Sequence, residues 1–199
     1  MQFSKGYKLG LIIISLLLIV SCYPGRSGSL SDVISAEKKL DEAKKTGKLD
    51  KKVIDNTIEA YHFFITYFPY DTLVPSYIVR EGQLYQMDGD YNKAISTLKT
   101  IKRHYPQAQE IPDAIFLTAD IYEQNIKNQD SADFQYATIL FDYTNSKVAA
   151  KTRTLLESRG ISSDVFYKKY AGTFSKMEDH DKSDSTKRYI RYHAYWKTN

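Results

Sequence analysis

The sequence predicts an all-α chain: a helical-repeat solenoid of about three helix pairs closed by a capping helix. Three observations carry that expectation. First, apolar residues from Leu30 to about Tyr170 recur at helical spacing, with no convincing strand alternation. Second, the chain echoes itself at a 37-residue interval. Phe68-Pro69 in ITYFPYD is followed by Tyr105-Pro106 in KRHYPQA, with a weaker echo at Tyr143 in FDYTNSK. Third, Tyr85 and Tyr122 stand at the same interval, and Gly82 and Ala119 keep step with them. A small residue and a tyrosine repeating together mark a recurring helix–helix contact.

Taken in order, the helix pairs are expected over Leu30–Pro69, Ser76–Pro106 and Pro112–Tyr143. The middle pair is the clearest. Gly82 and Tyr85 lie three apart on one helix, and Gly89-Asp90 makes a turn. Tyr91, Ala94, Ile95, Leu98 and Ile101 follow at helical spacing, and Pro106 ends the unit. Gly82 and Ala94 let two antiparallel helices approach closely. In the third pair, Ala132 matches Ala94 only after a one-residue insertion, and Thr144 stands where Pro is expected. Only Tyr61, Phe64 and Pro69 fit well in the first. Lys147–Arg159 reads as a closing helix stopped by Gly160, and Ser163 can cap a short helix, DVFYKKY. Three units with a cap is about the minimum for a stable array.

The middle unit's pattern of a small residue, Tyr three later, GDY-x-K-A-I and a closing Pro resembles a tetratricopeptide repeat. The longer period and the YP or FP endings resemble those of a subset of envelope proteins. These are the periplasmic Tol–Pal coordination protein and the tetratricopeptide lipoprotein of the outer-membrane β-barrel assembly machine. The resemblance covers about residues 50–170 and implies an architecture and a neighbourhood. It also implies a concave wall built from the first helix of each pair. In the middle unit that wall would hold Ser76, Val79, Gln83, Gln86 and Met87. In the third it would hold Asp113, Phe116, Asp120, Glu123 and Gln124, an acidic set around one aromatic that suits a basic, partly apolar peptide.

The N-terminus carries a second signal. Lys5 and Lys8 precede an apolar run, LGLIIISLLLIV from Leu9 to Val20. That run is shorter than the roughly 20 residues a spanning helix needs, so residues 1–21 read as a signal peptide. Ile19-Val20-Ser21-Cys22 then resembles the lipobox of bacterial lipoproteins, which implies cleavage before Cys22 and a covalent lipid on its thiol. Two or three acyl chains make such anchoring durable. Residues 22–29, with Gly, Ser and Pro in YPGRSGSLS, read as a tether between lipid and domain. By resemblance to lipoprotein sorting rules, the lack of Asp after Cys22 implies the outer membrane, and the lack of an acidic run implies its periplasmic face.

Composition narrows the remaining classes. Removing the leader lowers Lys+Arg from 28 to 26 against 24 Asp+Glu, so the mature chain is near +2 and offers no footprint for nucleic acid. With one cysteine, no internal disulfide can form. His62, His104, His180 and His193 lack partners at metal-ligand spacing, and Asp179-His180-Asp181 sits in a polar stretch. No nucleophile elbow, phosphate loop or dinucleotide fingerprint occurs. Asp41-Glu42 and Asp88/Asp90 read as helix-face and turn carboxylates. No catalytic residue, metal or cofactor is therefore expected beyond the lipid on Cys22.

Residues 171–199 read as a flexible tail, polar at first and then aromatic and basic in KRYIRYHAYWK. Arg188, Tyr189, Arg191, Tyr192, Tyr195 and Trp196 are candidate contacts for a protein or a headgroup layer. The expectation for residues 30–170 is thus a repeat domain in a lipid-anchored scaffold that binds envelope proteins as an accessory of an outer-membrane complex. The alternatives are a glycan-binding nutrient-capture lipoprotein and an enzyme of envelope metabolism.

Overall fold

A computed structural model describes residues 25–162, 165–166 and 168–170. Among these residues the chain is all helical, without a strand. The helices are α1 (Arg26–Thr46), α2 (Lys51–Tyr67), α3 (Val74–Asp88), α4 (Tyr91–His104) and α5 (Ile111–Asp120). A π-helical turn over Ile121–Ile126 continues α5, followed by α6 (Gln129–Asp142) and α7 (Lys147–Ser158). Helix α1 packs against α2 and α5 against α6, and Gly82 of α3 lies close to Leu98 of α4.

The chain divides into two compact units between Tyr77 and Ile78, inside α3, where the sequence suggested one repeat domain over residues 30–170. In the N-terminal unit α1 and α2 pack as a hairpin around Val33, Leu40, Ile54, Ile58, Tyr61 and Phe64. Tyr77 closes this core with its ring 5.1 Å from Tyr61 and 5.2 Å from Phe64. In the C-terminal unit the core is built around α6. Ala132, Tyr136, Ala137, Ile139 and Leu140 are buried there with Ala119, Ala149, Leu156 and Phe166.

Helix α1 corrects the expected tether. It begins at Arg26, so residues 26–29 are helical rather than a loose spacer. Two contacts hold them. The Arg26 guanidinium pairs with Asp71, and Ser29 is buried. Gly28 meets nothing within 4 Å of where a side chain would start, so it is tolerated here as an exposed helical position.

The second helix of each pair starts the same way. Asp50, Asp90 and Asn128 each accept a hydrogen bond from the backbone N–H three residues on: Val53 at 2.9 Å, Lys93 at 3.1 Å and Ser131 at 3.0 Å. The three helices also end alike. Phe68, Tyr105 and Tyr143 are their C-caps, with φ of −127°, −130° and −130°. Each cap carbonyl then accepts from the N–H three residues later, on Asp71, Ala108 and Ser146, at 2.8–2.9 Å. Pro69 and Pro106 follow two of the caps, yet Thr144 follows the third without changing the turn. The aromatic cap and its hydrogen bonds, rather than the proline, define this ending. Replacing Asn128 with Ala is expected to cost about 1 kcal/mol. Faster amide exchange at Ser131, with Phe134 and later amides much less affected, is the measurement that checks it.

The one-residue insertion has a structural counterpart. Gly82 to Ala94 spans 12 residues and Ala119 to Ala132 spans 13. The π-helical turn lies between Ala119 and Ala132 and takes up the extra residue. It ends at Lys127, which adopts φ +61°, and the Tyr122 carbonyl accepts from the N–H groups of both Lys127 and Asn128. Ala94 and Ala132 consequently occupy equivalent, fully buried positions, as do Leu98 and Tyr136, and Ile101 and Ile139.

Candidate functional site

The C-terminal unit brings together most of the wall residues. Gln86, near the end of α3, donates through Nε2 to Asp120 Oδ2 at 3.0 Å and to Asn125 Oδ1 at 2.9 Å. The end of α3 is therefore joined to the end of α5 and its π-helical turn at this amide. Met87 and Ile126, the next residues along each element, are both exposed apolar side chains. Gln83, Asp113 and Gln124 are exposed, while Val79, Phe116, Asp120 and Glu123 are half-buried. Ser76 belongs to the other unit, on the far side of the Tyr77–Ile78 boundary.

The chemistry of this wall differs from the acidic surface expected. Glu123 is not presented outward for a ligand. Its Oε2 accepts from Tyr136 Oη and from Arg159 Nη2, both at 2.8 Å, and its Oε1 lies 2.7 Å from Arg159 Nη1. That last contact is an ion pair off the hydrogen-bond line, and Nη1 is itself buried with no hydrogen-bond acceptor. Burial opposes the Arg159 charge, but the Glu123 carboxylate outweighs it, and the guanidinium stays more basic than usual. Burial, reinforced by the bond to Glu123, pushes the Tyr136 phenol well up. The cluster thus ties the π-helical turn to α6 and to the end of α7. The extra residue before it and the 36-residue separation of the pair explain why the sequence pattern did not reveal it.

Phe116 is engaged as well. Lys151, from α7, places Nζ 4.1 Å from the centre of its ring, and Tyr136 meets it edge-on at 5.7 Å. Asp113 lies near this lysine and near Glu110. Burial and then Glu110 raise the Asp113 carboxyl, and Lys151 acts against them. The wall therefore carries both signs: Asp113 and Asp120 on α5, and Lys151 on α7. Lys151 was not among the residues expected. Its position, five residues into the helix after the third expected pair, is the signal that would have found it, since α7 brings Lys151 over Phe116.

Helix α7 ends at Ser158, with Arg159 as its cap and Gly160 at φ +71°, close to the predicted stop. Phe166, Lys169 and Tyr170 return to α6. Phe166 is buried in its core, Lys169 pairs with Asp133 at 3.7 Å, and Tyr170 donates to Asp133 at 3.4 Å. Cys22, the predicted cap Ser163 and the tail residues Arg188, Tyr189, Arg191, Tyr192, Tyr195 and Trp196 lie outside the described residues. Among those described, no helix is long and apolar enough to cross a membrane, and no group of three or more metal-binding side chains assembles. No family model matches the chain, and no curated protein sequence matches it either.

Proposed function

We propose that this chain is a lipid-anchored scaffold of the cell envelope, acylated at Cys22 and built as a tetratricopeptide-like array. In this reading, successive first helices form a wall that holds a segment of a partner protein. It works without catalysis, cofactor or metal, on the periplasmic face of the outer membrane, as an accessory of a larger complex. The observation that carries the reading is the Gln86 amide bridging Asp120 and Asn125, because it joins residues expected on the walls of two neighbouring helix pairs. The repeated aromatic C-cap turn adds support, since an array needs each unit to leave its helix in the same direction.

The wall's composition sets the kind of partner. With Glu123 consumed by Arg159, and Lys151 beside Asp113, a purely basic peptide is no longer the best fit. A segment with both charge signs and an apolar residue for Met87 and Ile126 matches better. The tail residues Arg188 to Trp196 supply a second contact, whose effective concentration the anchor raises.

The test is a crosslinked, detergent-solubilised pull-down of the full chain, with Cys22→Ala alongside and mass analysis of the mature N-terminal peptide. A diacylglyceryl-modified Cys22 and a defined set of outer-membrane proteins that fades in Cys22→Ala are expected. Wild type purifying alone after crosslinking would refute the scaffold reading, and an unmodified Cys22 would refute the anchor.

A further inference from the structure

The N-terminal unit exposes three aromatic rings close to where its chain begins. Phe63 is 39% exposed, Tyr67 41% and Tyr70 69%. Phe63 and Tyr67 stand one turn apart on α2, with ring centres 4.5 Å from each other. Their neighbour Phe64 is fully buried, so these rings point away from the core that α2 shares with α1. Tyr70 follows in the turn after α2, beside Asp71.

Asp71 locates the patch. One of its oxygens pairs with the Arg26 guanidinium and the other accepts from the Leu73 N–H at 3.0 Å. The turn after α2 is thereby fastened to the first residue of α1. Cys22 lies only four residues before Arg26, a reach of at most about 14 Å. Helix α1 then carries the chain about 30 Å away before α2 brings it back. The aromatic end of this hairpin is therefore the end nearest Cys22. The opposite end, around Thr46–Lys51, is the far one.

We propose that Phe63, Tyr67 and Tyr70 form a membrane-contact patch that seats the hairpin end in the lipid headgroup layer. This rests on the reading that Cys22 is acylated. A rigid start at Arg26 leaves too little chain for the domain to swing free of the bilayer. Tyr67 and Tyr70 carry the polar-tipped rings that favour this layer, Phe63 adds an apolar one, and the half-exposed Arg26 near them suits its phosphates. The far end carries Lys44, Lys45, Lys48, Lys51 and Lys52, which would also attract anionic headgroups. To touch them, however, the hairpin would have to lie flat. Anchor and aromatics together favour the upright seating, in which the lipid and the patch act at one end.

Acylation uses up the chain's one thiol, so an introduced cysteine can be labelled alone. Nitroxide would be placed at Tyr70→Cys or at Lys48→Cys in the full acylated chain, in vesicles of phosphatidylethanolamine and phosphatidylglycerol. Mass analysis of the N-terminal peptide from the same sample reports the acyl group. Expected is a several-fold loss of access to a water-soluble paramagnetic reagent at position 70 on going from detergent-free Cys22→Ser protein to vesicles, with little change at position 48. Equal protection at both positions, or protection at 48 alone, would overturn the upright seating. With Cys22 acylated and position 70 still open to water, the patch is refuted while the anchor stands. An unmodified Cys22 removes the anchor, and the proposal falls with it. A Phe63→Ser/Tyr67→Ser pair in the Tyr70→Cys chain supplies the second variant. Both sites are partly exposed, the helical signal of this variant checks that its fold is retained, and protection at position 70 is expected to drop. Unchanged protection would show that the rings do not contribute.

Discussion

Glu123→Ala is expected to destabilise the C-terminal unit by about 3 kcal/mol, near the lower end for a broken buried ion pair. The side chains of Glu123 and Arg159 are 14% and 26% exposed, so some water remains and the upper end is not reached. The loss has two parts. Arg159 is left with a buried Nη1 and no carboxylate, and the Tyr136 hydroxyl loses its acceptor at a position that is otherwise fully enclosed. Urea unfolding followed by helical signal measures the change, as a lower midpoint at an unchanged slope. Replacing the pair together, as Glu123→Leu with Arg159→Met, should recover much of the loss, because the cost lies in the unpaired charge. A change in Glu123→Ala within about 0.5 kcal/mol of wild type would mean that the pair is effectively solvated. The proposed partner-binding wall would then regain an available carboxylate, and a basic segment would again be the better fit for it.

Gly82→Val is expected to cost about 1–3 kcal/mol through overpacking. A Cβ at Gly82 would stand 2.6 Å from Leu98 Cδ2 and 2.7 Å from Leu98 Cγ, inside any real contact. Leu98 cannot swing away cheaply, since it is 1% exposed and enclosed in the core of its unit. The clash outweighs the gain of roughly 0.5 kcal/mol that leaving glycine behind brings to a helix. The decisive measurement is a double-mutant cycle with Leu98→Ala. The Gly82→Val/Leu98→Ala chain should be more stable than the two separate losses predict, by more than about 1 kcal/mol. Strict additivity would show that the valine finds room elsewhere, and that the glycine does not set the approach of α3 and α4.

Much of the helical pattern was legible because it rests on local chemistry. The turn at Gly89-Asp90 needed a residue tolerant of φ +84° followed by a capping carboxylate, and both are visible in the letters. Tyr143 could be recognised as an echo of Tyr105 even without its proline, and the two caps have the same φ. Features that depend on distant partners were not legible. Arg26 enters a helix among glycines and serines because Asp71, 45 residues on, is there to meet it. Lys151 covers Phe116 because α7 lies against α5, and helix spacing within either segment cannot show that. Glu123 occupied a predicted wall position, but its role depended on Arg159. The boundary at Tyr77 falls within a continuous helix, where composition gives no break.

The π-helical turn at Ile121–Ile126 also bears on the lengths this segment can tolerate. A residue added to a packed α-helix rotates everything after it by about 100°. Such a change would move Ala132, Tyr136 and Ile139 out of their core positions if it spread. Here the widened turn confines it to one loop's breadth, and the cap at Asn128 restarts the next helix in phase. A change of one residue in length at this site can therefore be taken up without altering the residues downstream. The turn absorbs one residue while Ala132, Tyr136 and Ile139 keep their buried positions.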